Sequence, residues 1–116
     1  MAIKVGTDIV NISRVAKSID KFGDRFIEKF LNKEEIEIAN KIESIAGFWA
    51  AKEAVSKALG CGIGKELSFH DIFIEKNSKG APLFTIKSDK FNILESSLSI
   101  SHENEYAIAV VVIVFN

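Results

Sequence analysis

Apolar and polar residues alternate from Ile3 to Val10: Ile3, Val5, Thr7 and Ile9 share one side, and Lys4, Gly6, Asp8 and Val10 the other. A period of two predicts a strand, with Asp8 near its C-terminal end. The period then changes. Ile12, Val15, Ile19, Phe22, Phe26 and Phe30 recur at steps of three and four, the apolar face of a helical stretch from Ile12 to about Leu31 that Gly23 can break. Asn32 followed by Glu35 resembles an N-cap with its reciprocal partner and opens a second helix over 33–42. A third, alanine-rich helix covers 44–59 and ends at Gly60, a natural C′ residue.

The second half reads differently. Cys61-Gly62-Ile63-Gly64 is a glycine-punctuated loop, and Asp71–Lys76 with Leu83–Lys87 forms a hairpin around Asn77-Ser78-Lys79-Gly80. Pro82 stands at the mouth of the second hairpin strand, where its missing N–H does least harm. A short helix is expected around 88–95, then strands at about 98–102 and 106–115 joined by Glu103-Asn104-Glu105. The last strand is almost continuously apolar, which predicts a central strand covered on both faces. Helices early and strands late give an α+β fold, helices packed on a mainly antiparallel sheet, as a single domain over 1–116.

Composition narrows the function classes. Fifteen basic residues against 16 acidic ones leave a net charge of −1, which argues against bulk nucleic-acid binding. One cysteine, Cys61, allows no intramolecular disulfide and no Cys-rich zinc site. The N-terminus lacks the order of a signal peptide, and Tyr106–Phe115 is too short to span a bilayer as a helix. A reduced, cytoplasmic protein without a membrane partner is expected. At 116 residues the core is modest, so surface shared between subunits is a natural way to enlarge it.

On the third helix, Phe48, Ala51, Ala54, Val55, Ala58 and Leu59 share an apolar face; Glu53, Ser56 and Lys57 lie opposite, with Trp49 beside them. Two readings stay open. Glu53 and Lys57 form an i, i+4 pair worth about 0.2–0.5 kcal/mol on a solvated face, and Asp8 can cap a turn. Alternatively, two carboxylates and a lysine suit Mg²⁺ with phosphate oxygens. The run Gly60-Cys61-Gly62-Ile63-Gly64-Lys65 has no Walker pattern and follows a helix, so a helix-ending turn is the simpler reading. Arg14, Lys17, Lys21, Arg25 and Lys29 step along the first helical stretch, either as a solvated face or as a docking strip for an acidic protein. His102 ends a predicted strand after Ser99-Ile100-Ser101 and can shuttle protons or contact phosphate.

Taken in order, Gly6-Thr7-Asp8-Ile9-Val10, Ala50 to Gly60 with Gly62-Ile63-Gly64, Leu67-Ser68-Phe69-His70-Asp71-Ile72, Gly80-Ala81-Pro82, and Ser99-Ile100-Ser101-His102 with Tyr106-Ala107 resemble the holo-acyl-carrier-protein synthases, short bacterial 4′-phosphopantetheinyl transferases. The resemblance runs almost end to end, and the paired Gly-x-Asp and Lys-Glu-Ala-x-Ser-Lys motifs are its specific part. It implies transfer of 4′-phosphopantetheine from coenzyme A to a serine of apo-acyl carrier protein, releasing adenosine 3′,5′-bisphosphate, in fatty acid biosynthesis. Asp8 and Glu53 would hold Mg²⁺, and Lys57 would join them in catalysis. Lys52, Ser56, Lys57, Gly60, Gly62, Gly64, Pro82 and His102 would bind coenzyme A. Arg14, Lys21, Arg25 and Lys29 would meet the carrier protein, and the assembly would be a homotrimer with sites between subunits. The sequence departs from the family at Phe48, where an arginine is usual, at Cys61 for threonine, and at Ala81 for lysine or arginine. A non-catalytic binder of coenzyme A or carrier protein, or a structural subunit, is the rival reading.

Overall fold

The alternating segment forms β1 (Ala2–Asn11), which leads straight into α1 (Ile12–Phe22) in a computed structural model describing residues 1–116. Asn11 makes the corner: its side chain accepts from the Arg14 backbone N–H at 3.2 Å and from the Ser13 hydroxyl at 2.6 Å, capping the helix. Gly23, at φ 64°, ends α1 and starts the short α2 (Asp24–Glu28), so the expected break is real. The capping box of Asn32 and Glu35 opens α3 (Lys33–Ile38). That helix stops four residues earlier than expected, because the chain turns at Ala39 to bury it and then enters α4 (Ile42–Ala58). Gly60 follows α4 at φ 81°, as its sequence position predicts.

A 3-10 turn over Phe69–Asp71 leads into the hairpin of β2 (Ile72–Lys76) and β3 (Pro82–Ile86), with Pro82 paired to Lys76 next to the turn. The Asn77 side chain accepts from the Lys79 and Ala81 N–H groups, and Gly80 takes φ 84° to close the turn. No helix forms over 88–95. Instead β4 starts at Ile93 and runs to His102, with a bulge between Ile93 and Glu95. The backbone of β5 (Tyr106–Phe115) needs partners along its whole length, and that ladder overrides the local pattern before residue 98. The main sheet is antiparallel, in the order β1-β5-β4.

Helix α4 lies across this sheet and is buried on more than the one face expected: Ile45, Ala46, Phe48, Ala50, Ala51, Ala54, Val55 and Ala58 are all in the core. Its alanines let backbone approach backbone. At Gly6 of β1 an added Cβ would overlap the Ala54 carbonyl oxygen and stand 2.8 Å from the Ala58 nitrogen, so only glycine fits. Strand β5 is central, as its composition predicts, but only one face is covered within the chain. Ala107, Ala109, Val111 and Ile113 face the helix, whereas Tyr106, Ile108 and Val110 are exposed beside Ile3, Val5 and Ile9 of β1. The apolar side of the first alternating segment therefore points away from the core. No helix is long and apolar enough to cross a membrane.

Candidate active site

Asp8 follows Gly6 by one strand period, so it lies on the same face of β1, over the C-terminal half of α4. Its Oδ1 is 3.0 Å from Nζ of Lys57, with the Asp8 side chain mostly covered and Lys57 half exposed. Lys57 thus pairs across elements with Asp8, whereas the solvated-face reading expected it to pair with Glu53. Burial raises the Glu53 pKa above the ordinary carboxylate value; the negative charge of Asp8 raises it further, and Lys57 acts in the opposite sense. Two carboxylates therefore share a partly desolvated place with one ammonium group.

Asp8 and Glu53 line a hollow of about 460 Å³ that Arg14 and Ser18 of α1 also border. Its apolar wall is Phe26 and Trp49, whose rings stack at 5.9 Å, and Phe30 meets Trp49 edge-on at 4.7 Å from beneath. The helical wheel places Trp49 beside Glu53. It could not place Phe26 there, because Phe26 reaches the site from another helix, beyond the Gly23 break.

A second, smaller hollow of about 120 Å³ brings together Pro82, Gly80 and His102, which lie far apart in sequence. Phe48, 2% exposed, sits at its wall where the family pattern has an arginine. Lys76 of β2 also borders it, a cation that sequence patterning did not single out because it reads as a hairpin surface residue. No residue lines both hollows.

Other residues expected to contact coenzyme A lie outside the two hollows. Lys52 is fully buried, with Nζ donating to Glu35 Oε1 at 2.7 Å and to the Phe69 carbonyl at 2.9 Å, so it is not free to meet a phosphate. Burial pushes the Lys52 pKa below its ordinary value, and the Glu35 contact opposes that. Ser56 is also fully buried, its hydroxyl donating to the Glu53 carbonyl at 2.7 Å. Gly60, Gly62 and Gly64 form a turn that folds back on α4, with the Gly62 N–H on the Ser56 carbonyl and the Gly64 N–H on the Leu67 carbonyl. They border neither hollow. Both Lys52 and Ser56 are polar, and a helical wheel cannot show that Lys52 is buried against Glu35 and the Phe69 carbonyl or that the Ser56 hydroxyl turns back onto its own helix. Burial, with the charge of Glu66, raises the Cys61 pKa, so thiolate is scarce there at neutral pH. Of the basic strip, Arg14 borders the large hollow, while Lys21 and Lys29 approach the exposed Phe22 ring at 5.3 and 6.0 Å from either side of the break.

Known proteins match this chain in sequence and fold along nearly its whole length. The family model of the 4′-phosphopantetheinyl transferase superfamily matches residues 4–111. A holo-[acyl-carrier-protein] synthase of Sulfurovum is 53% identical over 116 residues, covering 97% of this chain and 98% of that protein. The synthase of Wolinella succinogenes is 56% identical over 110 residues, covering 92% and 93%. Among solved structures, Helicobacter pylori holo-[acyl-carrier-protein] synthase in complex with coenzyme A superposes with a TM-score of 0.92 at 54% identity, covering 95% of this chain and 99% of that one. A Bacillus anthracis synthase in complex with coenzyme A (3′,5′-ADP) gives a TM-score of 0.82 at 41% identity, covering 97% of each.

Proposed function

The chain belongs to the 4′-phosphopantetheinyl transferase superfamily, and from that premise we propose that it is a holo-acyl-carrier-protein synthase. It transfers 4′-phosphopantetheine from coenzyme A to a serine of apo-acyl carrier protein and so primes the carrier for fatty acid biosynthesis in the cytoplasm. The observation that carries this reading is that Asp8 and Glu53 share one wall of the large hollow, with Lys57 paired to Asp8 behind them, in a chain that matches synthases along nearly its whole length.

The donor set fits Mg²⁺. Asp8 and Glu53 offer hard oxygen atoms, and the charge of Asp8 already opposes ionisation of Glu53, a repulsion that a bound divalent cation would relieve. Held by these two residues, it would supply positive charge against the pyrophosphate of coenzyme A. Lys57 then adds positive charge beside the phosphates. The serine oxygen of the carrier forms a bond to the phosphorus bearing pantetheine, and the bond from that phosphorus to adenosine 3′,5′-bisphosphate breaks. Asp8 would take the serine proton by way of a water, while Glu53 would serve as a metal ligand. Positioning and charge neutralisation supply most of the rate, as in other phosphoryl transfers.

Coenzyme A is longer than either hollow, and the two hollows are separate on one chain. We assign its pyrophosphate to Asp8 and Glu53 and its nucleotide end to the wall made by Gly80, Pro82 and His102, supplied by a neighbouring copy in a homotrimer. The exposed side of β1 and β5, with Ile9 paired to Ile108, is the apolar surface that such an assembly would cover. Arg14, Lys21, Arg25 and Lys29 receive the acidic carrier, speeding encounter and orienting its serine.

Intact-mass spectrometry of apo-acyl carrier protein incubated with the chain, coenzyme A and Mg²⁺ tests the activity. A phosphopantetheine adduct is expected from the wild type, and Glu53→Gln should slow its formation by about a hundredfold or more. The second reading, a binder that holds coenzyme A without transfer, draws on Phe48 in place of a cation. Coenzyme A binding without any adduct at high protein concentration would establish it instead.

A further inference from the structure

We propose that the buried Lys52–Glu35 ion pair is a positioning device that sets the rotation of α4, and with it the aim of Glu53 into the large hollow. The inference rests on the transferase reading for its activity arm and on the Mg²⁺ assignment for its calorimetric arm. Lys52 and Glu53 are consecutive, so on a helix their side chains leave the axis about 100° apart. Fixing one therefore fixes the direction of the other.

The fixing is thorough. Glu35 Oε1 accepts from Lys52 Nζ at 2.7 Å and from the Asn32 N–H at 2.7 Å, while Oε2 accepts from the Ile74 N–H at 2.8 Å. Lys52 Nζ also reaches the Phe69 carbonyl at 2.9 Å. One ion pair, fully buried, thus ties α4 to the start of α3, to β2 and to the turn before β2. The side of α4 that faces the sheet has no buried polar tie: it packs through small residues, Ala51, Ala54 and Ala58 among them, and its ion pair to the sheet, Lys57 to Asp8, is half exposed at the lysine. A buried ion pair is a poor way to add stability, but its geometry is demanding, which suits a register device. The Phe69 ring lies 4.9 Å from Trp49, so the same tie also seats the apolar wall of the hollow.

The test is the double substitution Glu35→Gln/Lys52→Met, which removes both charges and keeps one acceptor for the Asn32 or Ile74 N–H. If the pair positions Glu53, Tm should stay within about 5 °C of the wild type, since apolar replacement of a buried ion pair is often neutral. The kcat for carrier modification should fall about ten- to a hundredfold, the scale of a small misplacement of a reacting group. Two readouts need no turnover. Emission from Trp49, the sole tryptophan, should shift, and calorimetry without carrier protein should show weaker Mg²⁺ binding in the presence of coenzyme A. A folded variant with wild-type kcat, emission and metal affinity overturns the proposal. If the double variant does not fold, Lys52→Gln, which keeps a neutral donor toward Glu35, is judged by the same criteria per folded molecule. A wild type that makes no adduct would end the transferase reading, while the emission and calorimetric arms would still decide the positioning role.

Discussion

Because Glu53 holds its proton more tightly in the folded chain than a free carboxylate does, its ionisation works against folding. Its contribution to stability is fully present below the unfolded pKa and is lost as pH rises through the raised folded one. Glu53→Gln should therefore raise Tm at neutral pH when no divalent cation is present, and thermal melts should show that advantage shrink or reverse once Mg²⁺ and coenzyme A are added. Gly6 makes a second prediction at this scale. Gly6→Ala forces a Cβ into the Ala54 carbonyl, so urea melts should show a loss of about 1–3 kcal/mol, with transfer reduced because Asp8 moves with the strand. Asp8, Glu53 and Lys57 were all legible in the sequence as chemistry-bearing residues. What patterning could not show was that Lys57 turns to Asp8, or that Lys52 and Ser56 are buried, since a helical wheel knows nothing of what packs on each face.

Helix α4 carries the site because it is lined with alanine, and its ends were readable from its composition and from Gly60. The expected helix over 88–95 failed for the opposite reason: that segment has little character of its own, and pairing with β5 decides its conformation. The break at Gly23 also matters beyond α1. It lets Lys21 and Lys29 converge on the exposed ring of Phe22, giving an apolar contact rimmed by positive charge. Reversing two charges of the strip, Lys21→Glu with Arg25→Glu, should lower kcat/KM for the carrier about tenfold or more at low salt. The effect should shrink as salt is raised, and the KM for coenzyme A should stay nearly unchanged. An equal rise in both KM values would argue that the strip is not the carrier's landing place.

At the scale of the whole molecule the uncovered sheet is the dominant feature. An apolar strand with one open face was read from sequence as covered on both; within a single chain it is not, and a neighbouring copy is the proposed cover. Val110→Asp should shift sedimentation equilibrium from trimer to monomer and abolish transfer together with assembly. If coenzyme A bridges two subunits, mixing inactive Asp8→Asn with inactive His102→Ala should restore part of the activity, because some mixed interfaces carry an intact pair of walls. No recovery on mixing would place the whole site within one chain.

In the proposed site, Asp8 and Glu53 provide part of a metal shell and coenzyme A the rest. Calorimetric titration of Mg²⁺ into the chain, with and without coenzyme A and with no carrier protein present, addresses it most directly. Weak binding to the protein alone and much tighter binding with coenzyme A are expected, a gain lost in Glu53→Gln. Equal affinity in both titrations, or a gain that survives that substitution, would contradict it.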